Sequence, residues 1–327
     1  MIKKLMKSKI LLFFILLFAF VYLNNSSLFV KQNDSKPFFL AHRGLGQTFP
    51  MEGITGETNT AQRIYEPEHP YLENTIPSME AAFQAGADMV EFDIKLTKDG
   101  KFAVFHDSLL EYRTNGAGSV EDYTMEELKA LDIGYGYTAD NGKTYPFRGQ
   151  GIGLMPSLAE VLNYFPDRSF LIHIKSNDKQ EGESLAQYLK NIPQDRLNQL
   201  AVYGGDDPLA ILQQKLPNLR VMSKETMKKA LISYMLVGWT GYVPHSMENA
   251  YFHLPQKYAR ILWGWPHRFI ERMDNVNSVF VIVAGDGKWS EGFDTAKDLK
   301  QIPPNYTGGI WTNRIDRTAP LYSDEND

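Results

Sequence analysis

His42-Arg43-Gly44, Glu91-x-Asp93, His106-Asp107 and His173-x-Lys175 are the segments of this 327-residue chain whose residue types could do chemistry. Two imidazoles offer a general acid and a general base, Arg43 an anion clamp, and two carboxylates spaced by one residue a place for a divalent cation. Cleavage of a phosphodiester needs these functions together. The leaving alkoxide must be protonated, the nucleophile deprotonated, and the charge gathering on the phosphoryl oxygens neutralised. Taken singly, each residue has a plainer reading: a lone Glu-x-Asp is usually a solvated strand face, and a lone histidine usually caps a strand or sits satisfied in a core.

The elements that would position these residues sharpen the choice. Strand side chains alternate faces, so along Met89–Leu96 the residues Val90, Phe92 and Ile94 share one face while Glu91, Asp93 and Lys95 share the other. In a closed barrel the outer face is covered by helices and must be apolar, which turns the charged face inward, where carboxylates need a cationic partner. Leu171–Lys175 repeats that parity, with Ile172 and Ile174 outward and His173 and Lys175 inward. His42 follows Phe38–Ala41 and His106 follows Phe102–Phe105, which puts both at strand ends, on the rim where barrel enzymes keep their chemistry.

Eight runs read as strands: Phe38–Ala41, Met89–Leu96, Phe102–Phe105, Phe170–Lys175, Leu200–Tyr203, Leu219–Met222, Val279–Ala284 and Gly309–Thr312. Helical patterns lie between them at Ile76–Ala85, Met125–Leu131, Leu158–Tyr164, Glu183–Leu189, Pro208–Gln214 and Thr295–Lys300. The alternation predicts an α/β fold, a TIM-type (β/α)8 barrel over residues 37–327, with no linker that would separate a second domain. Tyr112–Gly151 reads as an excursion on that barrel. Trp239–Trp265 is dense in aromatics, with His245, His253 and His267 among or beside them. Packing is its default reading, a substrate wall or membrane-surface patch the alternative.

Composition bounds the function. Apolar types at 43% and charged types at 22% fit a globular chain, and a net charge of −5 excludes a polycationic surface and argues against nucleic acid as a partner. Without cysteine, thiolate nucleophiles, disulfides and Cys-ligated metals are excluded. Lys3, Lys4, Lys7 and Lys9 precede an apolar run, Ile10–Leu23, and residues 1–36 read as an export signal or N-terminal anchor. As a helix that run rises only about 21 Å against a hydrocarbon core of about 30 Å, which favours a signal peptide. No small-x-small cleavage site follows it, so an uncleaved anchor stays open. Either way the remainder is expected outside the cytoplasmic membrane, periplasmic or extracellular. Beyond residue 36 the chain carries 28 bases and 38 acids, net −10, which favours small soluble diesters over intact lipid in an anionic bilayer.

The ordered set of motifs resembles the glycerophosphodiester phosphodiesterase family. It runs His42-Arg43-Gly44, Glu73-Asn74-Thr75, Gly86-Ala87-Asp88 through Glu91-x-Asp93, Thr97-Lys98-Asp99-Gly100, His106-Asp107, Arg113-Thr114-Asn115-Gly116-x-Gly118, Leu131-Asp132-x-Gly134 and Pro156-Ser157-Leu158-x-Glu160. The likeness spans roughly Leu40 to Lys175 and is weak thereafter. It implies a PLC-like phosphodiesterase barrel that hydrolyses small-molecule glycerophosphodiesters to an alcohol and sn-glycerol 3-phosphate with a divalent metal. By the same resemblance His42 and His106 are the acid/base pair, Arg43 clamps phosphate, and Glu91 and Asp93 bind the metal. Glu73, opening the helix after the first strand, borders the substrate with Lys175. Three departures stand out. The family's third metal ligand is a glutamate, and here the position is His173; the family's Ca2+ or Mg2+ then competes with the Mn2+ or Zn2+ that imidazole favours. An insert at 45–72, carrying Glu52, Glu57, Glu66, Glu68 and His69, is expected over the pocket. Thr312-Asn313 stands where the family has Thr-Asp. Two other readings stay open: a phospholipase D-like hydrolase of (lyso)phospholipid headgroups, and a non-catalytic envelope protein that binds phosphate esters.

Overall fold

The protein is seen in a computed structural model that describes residues 2–30, 36–56, 58–287 and 291–326; Glu57 of the insert and residues 31–35 of the leader lie outside the described residues. Nine strands form one sheet: β1 (Phe38–His42), β2 (Met89–Leu96), β3 (Phe102–Val104), β4 (Ser169–Ile174), β5 (Leu200–Gly204), β6 (Arg220–Ser223), β7 (Tyr251–Pro255), β8 (Val279–Val283) and β9 (Gly309–Thr312). Eight are parallel staves in the order β6-β5-β4-β2-β1-β9-β8-β7, and β3 pairs antiparallel with β2. Among the described residues no ladder joins β6 to β7, so the barrel is nearly closed.

The helices are α1 (Ile2–Asn25), α2 (Ile76–Gln84), α3 (Met125–Lys129), α4 (Leu158–Tyr164), α5 (Lys179–Leu189), α6 (Gln194–Leu197), α7 (Asp206–Lys215), α8 (Lys224–Val237), α9 (Gln256–Ala259), α10 (His267–Asn275), α11 (Ala296–Leu299) and α12 (Ile315–Asn326). Several start where the sequence places a side chain that can satisfy the first free N–H groups: Thr75, Ser157, Ser223 and Thr295 each accept from the third helical residue in a reciprocal capping box.

The expected parity holds. Val90, Phe92, Ile94, Phe170, Ile172 and Ile174 are buried against the helices, and Leu40, Leu171, Ala201, Met222, Tyr251, Val281 and Trp311 fill the interior. Two strand assignments change. Phe102–Phe105 is no stave: the upper half of β2 continues past the barrel and β3 folds back on it, with Ile94 opposite Val104 and Leu96 opposite Phe102. The eighth stave is β7, inside the aromatic stretch, where Tyr251-Phe252-His253-Leu254-Pro255 lacks the β-branched run that marks its neighbours. The excursion from Tyr112 to Gly151 packs on β3 over its own apolar cluster, which includes Phe105, Leu110, Leu128, Tyr137 and Phe147.

Helix α1 is longer than its apolar run, because the flanking lysines and asparagines continue it. Its stretch Lys7–Asn25, 19 residues, is long and apolar enough to cross a membrane by length and composition, which suits a signal peptide and an anchor alike.

Candidate active site

Strand register builds the centre of the site. His42 stands level with Glu91 across β1 and β2, and Asp93 stands level with His173 on β4, which is level with Tyr203 on β5. Glu91 and Asp93, 0% and 1% exposed, are buried against His42, Arg43 and His173, which line a cavity of about 1820 Å³. His42, Arg43, Glu73, His106, His173 and Lys175 line that cavity at the C-terminal ends of the staves. All eight residues singled out from the sequence therefore meet. His106 arrives by a different route from the one expected: the hairpin of β2 and β3 turns the chain back, and Phe105 N–H donates to the Asp93 carbonyl at 3.0 Å.

The turn after β1 places Arg43. Arg43 adopts φ 60°, in the left-handed region, and Gly44 follows at φ 76°. A Cβ at Gly44 would stand 2.6 Å from Ser78 Oγ and 2.8 Å from the Ser78 carbonyl carbon, so only glycine lets the turn pack against the start of α2. Arg43 then bridges the carboxylates, with Nη1 to Glu73 Oε1 at 2.9 Å and Nε to Asp93 Oδ2 at 3.3 Å. Glu73 lies two residues ahead of the Thr75 cap instead of opening the helix. Asn74 locks Asp93 in place, donating Nδ2 to Asp93 Oδ2 at 3.0 Å and accepting Asp93 N–H at 3.1 Å.

The two candidate acid/base histidines are backed differently. Asn313 Nδ2 donates to Asp294 Oδ2 at 2.9 Å, which turns Asn313 Oδ1 toward His42 Nδ1 at 2.6 Å. An oxygen there fixes the proton on Nδ1, so His42 Nε2 carries the lone pair, and Arg43 Nε donates to it at 3.1 Å. His106 Nδ1 instead faces a carboxylate, Asp107 Oδ1, at 2.7 Å; Asp107 Oδ2 pairs with Arg113 Nε at 2.7 Å. Burial and the neighbouring Arg43 hold His42 well below its ordinary pKa. They lower His106 too, against the opposing charges of Asp93 and Asp107. Burial works against the Asp107 charge, but Arg113 and His106 outweigh it and keep the carboxyl below its usual range.

Glu91, Asp93 and His173 offer ligand atoms that all lie within 4.8 Å of one another. His173 Nδ1 is 2.9 Å from Asp93 Oδ1 and 3.7 Å from Glu91 Oε1, and its ring stacks on Tyr203 at 4.0 Å. Burial pushes His173 down to about 4, so the imidazole is neutral and able to ligate. Burial and the adjacent Asp93 push Glu91 up to about 8, although Tyr203 Oη donates to its Oε1 at 2.7 Å. Burial also opposes the Asp93 charge, but His106, Arg43 and Lys175 outweigh it and hold this carboxyl well below its usual range. Around the floor, among the described residues, Glu73, Glu91, Asp93 and Asp107 face Arg43, Arg113 and Lys175 as fixed cations. That donor set fits a divalent ion, because two carboxylate oxygens and one neutral imidazole nitrogen converge.

Sequence reasoning missed Asp294, Tyr203 and Trp311. Asp294 lies in an irregular stretch with no signal. Tyr203 was readable from the parity of β5, and Trp311 from that of β9, where its ring stands 4.8 Å from His42. The insert lies over the cavity as expected, contributing Gln47, Phe49, Ile54, Tyr65, Glu66 and His69 to its lining. It is pinned by Gln47 Nε2 to the carbonyls of His69 and Tyr71 (2.9 and 2.8 Å) and by Glu68 to Arg314 and Arg317.

A nearly closed parallel barrel with a carboxylate and imidazole floor, an arginine and two differently backed histidines at its mouth defines an α/β barrel equipped for anionic esters. The model of the glycerophosphoryl diester phosphodiesterase family matches residues 42–253, and the chain belongs to that family. It is 41% identical over 103 residues to a glycerophosphodiester phosphodiesterase of Caldanaerobacter subterraneus subsp. tengcongensis, covering 32% of this chain and 39% of that one. It is 40% identical over 122 residues to one of Bacillus subtilis, covering 36% and 39%. The chain thus spans about two fifths of the length of these curated relatives. The fold resembles the glycerophosphoryl diester phosphodiesterase domain of an uncharacterized Mycobacterium tuberculosis protein, with TM-score 0.62, 16% identity and coverage of 88% and 99%. It also resembles an Oleispira antarctica phosphodiesterase solved with the product sn-glycerol-3-phosphate, with TM-score 0.54, 17% identity and coverage of 88% and 97%.

Proposed function

We propose that this chain hydrolyses glycerophosphodiesters to an alcohol and glycerol 3-phosphate, with a divalent metal held by Glu91, Asp93 and His173 and with His42 and His106 as the acid/base pair. The observation that carries the reading is the convergence, in one cavity, of two oppositely backed histidines and Arg43 above a three-donor cation floor. Arg43 and Lys175 hold the diester's anionic oxygens. His42, whose Nδ1 proton is committed to a neutral amide, keeps its lone pair at Nε2, which takes the proton from the attacking hydroxyl or water once Arg43 Nε has turned from it to the substrate. His106, whose Nδ1 is backed by a carboxylate, is the better cation and delivers a proton from its other nitrogen to the departing alkoxide. When bound, the metal supplies Lewis-acid polarisation of the phosphoryl group. The imidazole of His173 in place of a carboxylate favours Mn2+ or Zn2+ over Ca2+ or Mg2+.

Residues 1–36 are read as the targeting and anchoring part of an exported protein whose barrel, 37–327, lies outside the cytoplasmic membrane, supported by the spanning-length helix α1 and the lysines ahead of it. The test is release of glycerol 3-phosphate from glycerophosphocholine and glycerophosphoethanolamine, with Ca2+, Mg2+, Mn2+ or Zn2+ added in turn. Absence of turnover on any diester with any of the four refutes the proposal. The size of the cavity favours one second reading, since about 1820 Å³ exceeds the ~300–1,000 Å³ of ordinary small-ligand sites and admits a lysophospholipid. Faster turnover of lysophosphatidylcholine than of glycerophosphocholine would select it.

A further inference from the structure

The C-terminal end of α1 is hydrogen-bonded to the barrel. Asn24 Nδ2 and Asn25 Nδ2 both donate to the Trp239 carbonyl, at 3.2 and 2.8 Å. Arg272 on α10, only 6% exposed, donates Nη2 to the Asn24 carbonyl at 2.9 Å and Nη1 to Asn25 Oδ1 at 3.0 Å. The same Nη1 holds Tyr234 Oη on α8 at 2.8 Å and the Gly238 carbonyl at 3.1 Å. A buried guanidinium is thus satisfied partly by the helix end, and no slack chain lies between that end and this flank.

The flank carries apolar side chains that the barrel does not cover. Ile232 and Leu236, one turn apart on α8, are 51% and 71% exposed, Tyr242 is 61%, and Tyr258 and Ile261 are 48% and 64%. Trp263 ties the segment bearing the last two to α8: its Nε1 donates to the Met235 carbonyl at 2.9 Å and its own carbonyl accepts from Tyr234 Oη at 2.7 Å. Exposed Lys228, Lys257 and Arg260 belong to the same elements, and Lys257 Nζ lies 5.0 Å from the centre of the Tyr258 ring. An apolar and aromatic surface rimmed by basic side chains suits the headgroup layer of an anionic bilayer. Its local sign is opposite to the net −10 of the chain beyond residue 36.

We infer that the flank formed by α8, the turn after it and the α9–α10 segment lies on the surface of the bilayer that α1 crosses. The occupant is the lipid surface because the membrane-length helix ends in bonds to this same face. The inference rests on the reading of α1 as a retained anchor and is independent of the hydrolytic reading.

The chain has no cysteine, so single cysteines can be labelled cleanly. The full chain carrying Leu236→Cys, Ile261→Cys or, on the distant helix α4, Tyr164→Cys is labelled with an environment-sensitive fluorophore and reconstituted into phosphatidylcholine vesicles with and without phosphatidylglycerol. Tyr164 is 53% exposed and serves as the control. Labels at 236 and 261 are expected to emit at shorter wavelength than the label at 164 and to be quenched several-fold more slowly by aqueous iodide, with a larger difference in the anionic vesicles. Equal quenching at all three positions overturns the inference. Protection that appears in detergent and grows with protein concentration also overturns it, in favour of a second copy of the chain. The mass of the reconstituted chain separates the two readings. Retained α1 with exposed labels refutes the surface and leaves the anchor, whereas lost α1 with protected labels refutes the anchor and leaves the surface.

Discussion

Replacing His173 by glutamate turns the third donor of the cation floor into the charged oxygen ligand that its position holds in the family. In the parent, His173 Nδ1 meets Asp93 Oδ1 at 2.9 Å and Glu91 Oε1 at 3.7 Å, a neutral ring between two carboxylates. A third carboxylate about 4 Å from Asp93 is repelled by about 4 kcal/mol at an effective dielectric constant of ~20. Lys175 Nζ, 3.7 Å from Asp93 Oδ1, offsets part of this. The new group can also escape by taking up a proton, which at pH 7 costs about 1.4 kcal/mol for each unit above its ordinary pKa near 4.3, so about 4 kcal/mol is a ceiling. The lost stack on Tyr203 adds about 1 kcal/mol. We therefore expect His173→Glu to lose about 3–5 kcal/mol of stability in chelator and to regain most of it when Ca2+ or Mg2+ is added, since an ion that binds only the folded state stabilises it by mass action. Urea melts in chelator and in each of the four metals, beside activity in the same metals, read this out. The parent should be the more active in Mn2+ or Zn2+, the variant in Ca2+ or Mg2+. A variant as stable as the parent in chelator, or an unchanged metal order, would refute the argument that these three side chains share one cation.

His42→Ala and His106→Ala should each lower turnover by about 10²-fold or more while leaving the urea midpoint nearly unchanged, because each ring acts as a proton carrier at the mouth of the barrel. Asn313→Leu removes the oxygen that fixes the His42 tautomer, and turnover should fall about ten-fold with little change in KM; a fall as large in KM would point to lost substrate binding instead. Burial holds His253 at about 3, below its unfolded value of 6.5, so between those pH values the unfolded chain binds a proton that the folded chain refuses, and stability falls as the pH falls. His253→Phe should therefore gain stability on the parent by about 1.4 kcal/mol per pH unit below 6.5, measured by urea melts down to about pH 4.5; parallel pH profiles would show that the ring is protonated in the folded state.

The charged parity of β2 and β4 was decisive in the sequence, because alternation is a local property of a strand and only a barrel leaves an inward face for Glu91, Asp93, His173 and Lys175. The basic start of α1 was legible for the same reason: it depends on a few neighbouring residues. What only the tertiary structure decided depends on distant segments meeting. His106 reaches the rim by a hairpin running against the barrel, which strand pattern cannot distinguish from one of the eight parallel staves, and Tyr251–Pro255 becomes a stave because its aromatics are buried between neighbours 28 residues and more away. The proton on His42 is fixed by Asn313 and Asp294, 271 and 252 positions along the chain, so its role follows from barrel closure and from no local signal. The end of α1 likewise finds its partner in Arg272, and no pattern within either segment foretells that bond.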